Sequence, residues 1–163
     1  MLANFYKSCV LSADDGVDPE AFTVLPVSDI EIMVKPWLRS KSPVVELVSG
    51  KRIMADLDGR FHVDVTITWE EMGPIDHPKL VAWIKNAWSA GSTSTYKFYP
   101  VADGAGPDSD YPGIEVVPEV TEGLIRALYE GKIRKREVEL SLKGVVPLLA
   151  SNVPFWALDE AST

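Results

Sequence analysis

Four side chains that could bind a metal ion or transfer protons lie between positions 56 and 64. They are Asp56, Asp58, His62 and Asp64. Carboxylate oxygens and imidazole nitrogens are common ligands of divalent cations and common general acids and bases. The run Asp56-Leu57-Asp58-Gly59 also matches the start of a calcium loop, but no third acidic ligand and no closing glutamate follow at the required spacing. Metal binding through Asp56, His62 and Asp64 is therefore one hypothesis for this segment.

The same residues lie in a segment whose polarity alternates. Between positions 55 and 69 apolar and polar residues alternate almost without exception. Only an extended chain places every second side chain on one face, so the segment is predicted to be a strand with one buried and one wet face. Polar faces of sheets routinely carry mixed charges. We therefore favour a solvated sheet face, on which His62 bonds to Asp56, over a metal site.

The Asp58-Gly59 pair predicts a hairpin turn within this segment. A two-residue loop would set polar residues opposite apolar ones. A three-residue loop makes every facing pair apolar, and this burial pattern favours it. The pairs it predicts are Leu57 with Phe61, Ala55 with Val63 and Ile53 with Val65.

The overall composition limits the possible functions. The chain has 163 residues, 46% of them hydrophobic, and a formal net charge of −8. We expect a single globular domain. The acidic balance opposes general or sequence-specific nucleic-acid binding, which needs a basic face. Cys9 is the only cysteine, so no disulfide framework or thiolate zinc site is possible.

Catalytic and targeting signatures do not occur in the sequence. It contains no GxSxG, HExxH, Walker or GxGxxG motif, no long apolar run and no signal-peptide pattern at its beginning. We therefore expect a protein that is not an enzyme, needs no cofactor, does not enter a membrane and is made in the cytoplasm.

Apolar spacing predicts a mainly β (α+β) fold. A helix is predicted near positions 78–90, because apolar residues recur there at intervals of three and four. Alternating or β-branched runs predict strands around it, and residues 103–113 predict a mobile loop. Residues 121–133 are ambiguous, although Thr121 could cap a helix there. The expected architecture is an antiparallel β-sandwich over 44–146 with one helix packed against it.

Segments on either side of this core are expected to be arms. Residues 1–43 contain several turn signals and are predicted to be an arm or edge-strand region, while 147–163 is an apolar, aperiodic tail. The tail is expected to dock on its own core or on another subunit. Trp69, Trp83 and Trp88 lie on apolar faces and are assigned to the core. Candidate interface residues are Trp37, Phe155, Trp156 and the basic cluster Lys132, Arg134, Lys135 and Arg136.

The order of these features resembles the minor tail and distal tail proteins of long-tailed bacteriophages. The matching segments are VVELVSGKR at 44–52, VDVTITW at 63–69, the helix at 80–88, TYKFYP at 95–100 and REVELSLKG at 136–144. The resemblance implies a β-sandwich with one helix against it and a structural role in the virion. It also implies a homo-oligomeric ring, commonly hexameric, at the tail tip, the distal tail or the tube end, with other tail or neck proteins as partners. The alternative is a small β-domain that binds a metal ion or ligand through Asp56, His62 and Asp64.

Overall fold

The computed structural model describes residues 8–38, 44–54, 57–89, 93–119, 121–122, 124 and 138–162. The strands that join in one large sheet are β1 (Ser8–Asp14), β2 (Ala21–Pro26), β3 (Asp29–Leu38), β6 (Leu57–Trp69), β7 (Thr95–Tyr99), β10 (Ile114–Pro118), β11 (Val138–Gly144) and β12 (Leu148–Leu149). Two separate hairpins pair β4 (Val44–Glu46) with β5 (Arg52–Met54) and β8 (Ala102–Asp103) with β9 (Gly106–Pro107). The helices are α1 (Asp76–Trp88), a 3₁₀ turn (Ala150–Asn152) and α2 (Phe155–Ser162).

All neighbouring strands of the large sheet are antiparallel. The hydrogen-bonded order is β2, β1, β7, β10, β11, β6 and β3. Strand β12 continues along β6 beyond the end of β11, since β11 pairs with β6 as far as Val65 and β12 pairs at Phe61 and Arg60. Strand β10 joins the two halves of the sheet. Its first residues, Ile114 and Glu115, pair with β7, and its last residues pair with β11.

The two ends of this sheet come together. Strands β2 and β3 stand at opposite ends of the hydrogen-bonded order, yet only Val27 and Ser28 connect them. The Ser28 N–H donates to the Thr68 carbonyl at 3.2 Å, and the Trp69 indole N–H donates to the Pro26 carbonyl. The sheet therefore folds back over a shared core, and the predicted β-sandwich is confirmed.

Alternation along β6 fills the core as the sequence predicts. Val63, Val65, Ile67 and Trp69 are all buried, while the residues between them are half-buried on the outer face. Burial of each such side chain stabilises the fold by roughly 1.5–3 kcal/mol relative to exposure.

Helix α1, the longest helix among the described residues, packs into the same core, which confirms the helix predicted near 78–90. Leu80, Trp83 and Ile84 are buried on one side of it. The Trp83 indole N–H donates to the Ser12 carbonyl at 3.0 Å, and its ring meets Tyr96 edge to face at 5.9 Å. Trp69 and Trp83 are thus core residues as predicted, and Trp88 packs partly buried against the core.

The predicted hairpin turn at Asp58-Gly59 is wrong. Strand β6 runs through these residues, and its neighbours are β3 and β11, so Val65 pairs with Ile32 and Leu142. Gly59 has a φ of 67°, but this residue sits in a bulge, because β6 takes four steps from Leu57 to Phe61 while β3 takes two. A glycine with positive φ occurs in β-bulges as well as in hairpin turns, so Gly59 alone does not distinguish the two. The pairs predicted for the hairpin therefore do not form, because the partners of β6 are β3 and β11.

Residues 1–43 are predicted to be an arm or edge-strand region; of these, 8–38 form three strands of the sandwich, and β2 and β3 lie at the two ends of the hydrogen-bonded order. Strand β1 lies between β2 and β7, and its Cys9 and Leu11 are fully buried. Pro26 ends β2 and Pro36 borders the bulge, so these prolines stand where few ladder bonds are lost.

The segment predicted to be a mobile loop contains a short hairpin and two further backbone hydrogen bonds. Residues 102–107 form the β8–β9 hairpin, and the Asp108 and Tyr111 N–H groups donate to the Val101 and Asp108 carbonyls at 3.0 and 3.1 Å. In the ambiguous segment, Glu122 and Leu124 are helical and the Leu124 N–H donates to Thr121 Oγ1 at 3.1 Å, the predicted capping bond. Residues 125–133 lie outside the described chain.

Candidate functional site

The outer face of β6 brings His62 and Asp64 together on one backbone segment of β11. Asp64 Oδ1 accepts a hydrogen bond from the Gly144 N–H at 3.2 Å, and His62 Nδ1 lies 3.1 Å from the Gly144 carbonyl oxygen. Because a carbonyl only accepts, the His62 Nδ1 must carry the proton and donate. The two side chains therefore bind both polar groups of one residue.

The second oxygen of Asp64 lies at the centre of an ion network. Its Oδ2 is 3.5 Å from the Lys35 ammonium on β3 and 3.7 Å from the Lys143 ammonium on β11. Lys143 also lies 3.6 Å from Glu119 at the end of β10. Both lysines are about half exposed, so each pair contributes roughly 0.2–1 kcal/mol.

These contacts bear on the metal hypothesis. His62 and Asp64 share a face as predicted, but the Asp64 carboxylate already forms ion pairs with the ammonium groups of Lys35 and Lys143. Among the residues that the structure describes, no group of three potential ligands could hold a metal ion. Asp56, the third proposed ligand, lies outside them, and the side chain of Asp58 is likewise not described. In the described residues, His62 and Asp64 instead hold the backbone of Gly144 by two hydrogen bonds, and we call this arrangement the clamp.

Gly144 is the residue that this clamp requires. A Cβ at this position would lie 2.6 Å from the Val63 carbonyl oxygen and 3.1 Å from the Val63 nitrogen. Any side chain would therefore push β11 away from β6. The sequence offered one signal for this contact, a glycine directly after an alternating strand, but that signal equally marks a strand end.

A pocket of about 320 Å³ opens beside this contact, where β11 has left β6 and β12 has not yet begun. Its lining residues are mostly apolar and include Val63, Val146, Leu148 and Pro154, together with the acidic residue Glu115. Val146, one of the lining residues, is itself exposed. The pocket and its rim therefore form an apolar depression on the surface.

Helix α2 separates two candidate interface residues. Phe155 remains 46% exposed, and its ring lies tilted against that of Tyr111 with the ring centroids 5.6 Å apart, so it can still contact a partner. Trp156 is fully buried, donates its indole N–H to the Pro112 carbonyl at 2.7 Å and meets Phe98 edge to face. Its assignment as an interface anchor is wrong, because the tail docks on its own core and adjacent helical residues point to different sides.

The remaining interface candidates lie on β3 and in the basic cluster. Trp37 is half-buried. Lys132, Arg134, Lys135 and Arg136 all lie outside the described residues. Their proposed pairing with an acidic neighbour therefore stays a prediction.

The β4–β5 hairpin forms its own two-stranded sheet and is not paired with any strand of the large sheet. Its turn is closed by the Leu47 N–H, which donates to the Lys51 carbonyl at 2.7 Å, and by Gly50, which has a φ of 83° and donates to the Leu47 carbonyl. Val44, Leu47 and Val48 are exposed, and Val48 is fully so. The sequence identified Val44 and Val48 only as a β-branched run, which is equally typical of a core strand.

A second polar cluster, which the sequence did not suggest, links β1, β7 and the segment before β2. Glu20 Oε1 accepts hydrogen bonds from Ser12 Oγ at 2.5 Å and from the Tyr99 hydroxyl at 2.9 Å. Burial, and then the Glu20 carboxylate, raises the pKa of Tyr99 to about 12. Ser12 is fully buried, so a substrate cannot reach it. The cluster ties strands together.

No protein-family model matches this chain, and no curated protein is significantly similar to it. In the described part of the chain, none of the helices has the length and apolar character that crossing a bilayer would require.

Proposed function

We propose that this chain is a structural virion protein, a ring-forming subunit of a bacteriophage tail at the tail tip, the distal tail or the tube end. It acts by assembling with copies of itself and with other tail or neck proteins. An antiparallel sandwich with one helix packed against it is the architecture that the family resemblance implies, and this chain has that architecture.

The β4–β5 hairpin is the observation that carries this proposal. A two-stranded hairpin is marginally stable in water on its own, and neighbouring apolar side chains exposed together are typical of an interaction surface. This hairpin pairs only with itself among the sheets of the described chain, and it exposes Val44, Leu47 and Val48. Assembly with a neighbouring subunit would bury those side chains, and this would explain why apolar residues stand at exposed positions.

Further exposed apolar residues lie in helix α2 and in the segment before it. Val146, Leu149, Phe155 and Leu158 are each exposed there, although α2 itself is anchored in the core through Trp156. A ring subunit needs two different contacting surfaces, because each copy meets one neighbour on either side. The hairpin and these exposed residues are our candidates for the two.

The oligomeric mass tests the proposal. Mass photometry and light scattering of the full chain, across a wide concentration range, should show one closed species of defined size, and negative-stain images should show rings. Mass spectrometry of the virions of the phage that encodes the chain should detect it in the particle. A strict monomer at every concentration, or absence from purified virions, would contradict the proposal.

A further inference from the structure

The apolar tip of the β4–β5 hairpin and the apolar pocket beside Gly144 are the two surfaces whose chemistry matches. We propose that Leu47 and Val48 of one copy insert into the pocket of the next copy. The inference rests on the proposed ring assembly and names the two surfaces that meet in it.

The tip has the properties of an inserting group. Leu47 and Val48 stand at the turn, where Val48 keeps no contact that shields it from solvent. The two turn bonds fix the backbone that presents them, so little ordering is needed on docking. Lys51 and Arg52, both exposed, follow directly; Glu46 Oε2 lies 3.5 Å from Arg52 Nε, so residues 46–52 carry one net positive charge in a chain of net charge −8.

The pocket has complementary properties. Its apolar walls, formed by Val63, Val146, Leu148 and Pro154, suit aliphatic side chains, and about 320 Å³ is within the range of pockets that bind small groups. Glu115, the acidic residue among those that line the pocket, is the charged partner that a positively charged tip would have.

The relation between the two surfaces makes the contact directional. Within one copy the tip is exposed and the pocket is open, so a copy does not fill its own pocket. Because tip and pocket are different patches, each copy can give its tip to one neighbour and receive a tip from the other. Such head-to-tail contacts close into a ring when the rotation between copies divides a full turn.

Two charge substitutions test the contact, with a third as a matched control. Val48→Asp alters the tip and Val146→Asp alters the pocket rim, whereas Ile75→Asp alters an exposed apolar residue at the start of α1. We expect the first two to raise the concentration needed for half-assembly about tenfold or more, and the third to leave it unchanged. Circular dichroism checks that each variant is folded.

Mixing the two defective variants gives the sharper readout. Val48→Asp keeps a good pocket and Val146→Asp keeps a good tip, so a mixture can form one intact contact per pair. A dimer containing one of each is expected in mass photometry, although each variant alone is monomeric. If the tip bound a different surface of the partner, or bound a second tip, mixing the two variants would not restore a dimer.

Covalent capture provides a measurement that does not depend on assembly strength. Cys9 is the only native cysteine, and burial raises the pKa of its thiol to about 12, so it does not compete. Val48→Cys protein mixed with a mass-tagged Val146→Cys protein should form a mixed disulfide on mild oxidation, whereas mixing it with tagged Ile75→Cys protein should not.

The outcomes separate the two proposals. A monomeric wild type contradicts ring assembly and, with it, this contact. A wild-type ring that survives Val48→Asp and Val146→Asp as well as it survives Ile75→Asp overturns the contact alone, and so does the absence of the mixed disulfide in an assembling protein.

Discussion

Asp64 on β6 accepts a hydrogen bond from the backbone N–H of Gly144, which lies 80 residues further along the chain, at 3.2 Å. This bond and that of His62 hold β11 against β6 beyond the last ladder pair, between Leu142 and Val65. Gly144 also faces Val116 of β10. One residue therefore links three strands, and the polar face of β6 has a structural function there.

Substitutions of Asp64 should separate its two functions. Asp64→Asn keeps an acceptor for the Gly144 N–H but removes the charge between Lys35 and Lys143, so we expect a loss of about 1 kcal/mol. Asp64→Ala also leaves the N–H without its partner, which costs roughly 1–3 kcal/mol more. Urea denaturation gives both free energies of unfolding, and Asp29→Asn, at an exposed position of β3, is the control.

The same variants test the metal hypothesis. If Asp64 is occupied by lysines, calorimetry with calcium, zinc and manganese should give no saturable heat. Saturable heat that disappears in Asp64→Ala would show that Asp56, His62 and Asp64 form a metal site, and would refute the assignment of Asp64 as a purely structural residue.

Gly144→Ala should be strongly destabilising. The new Cβ would meet the Val63 backbone at 2.6 Å, and backbone cannot rotate aside as a side chain can. We expect a loss of about 1–3 kcal/mol in the free energy of unfolding by chemical denaturation. Gly73→Ala is the control, since nothing lies within 4 Å of the position that a Cβ would take there and its φ is ordinary. Equal stabilities would mean that β11 can shift without cost.

The sequence predicted those features that depend on local periodicity. The alternation along β6 and the three- and four-residue spacing of α1 both follow from one buried face, so their buried residues could be identified in advance. The sandwich class followed from these elements.

Partner choice could not be predicted in the same way. The apolar residues of β6 pair equally well with any apolar strand, so their pattern could not show that Ile32 and Leu142, and not Ile53, face Val65. The contacts of Gly144, Glu20 and Tyr99 join residues far apart in the chain, and Trp156 and Phe155 differ only in which side of a docked helix they occupy. Long-range geometry decides each of these.

Truncation of two adjacent residues of α2, Phe155 and Trp156, should change the stability of the protein by very different amounts. Trp156→Ala removes a fully buried side chain and its bond to Pro112, so we expect a loss of about 3–5 kcal/mol in stability. Phe155→Ala removes a half-exposed ring and should cost much less stability. If the surface near α2 contacts a neighbour, Phe155→Ala should instead weaken assembly in mass photometry. Equal destabilisation by both changes would show that Phe155 serves the core.

The protein should lose stability in alkaline solution partly through Tyr99. Burial and the Glu20 carboxylate raise the pKa of its hydroxyl from the usual 10.0 to about 12, so the unfolded chain releases this proton first. The stabilising contribution is complete below pH 10 and is lost as the pH rises through 12. In denaturant titrations across this window, Tyr99→Phe should show a shallower decline than wild type. Glu20→Gln should lower the pKa of Tyr99, which tyrosinate absorbance can follow directly. Parallel stability curves for wild type and Tyr99→Phe would show that Tyr99 ionises alike in the folded and unfolded chain.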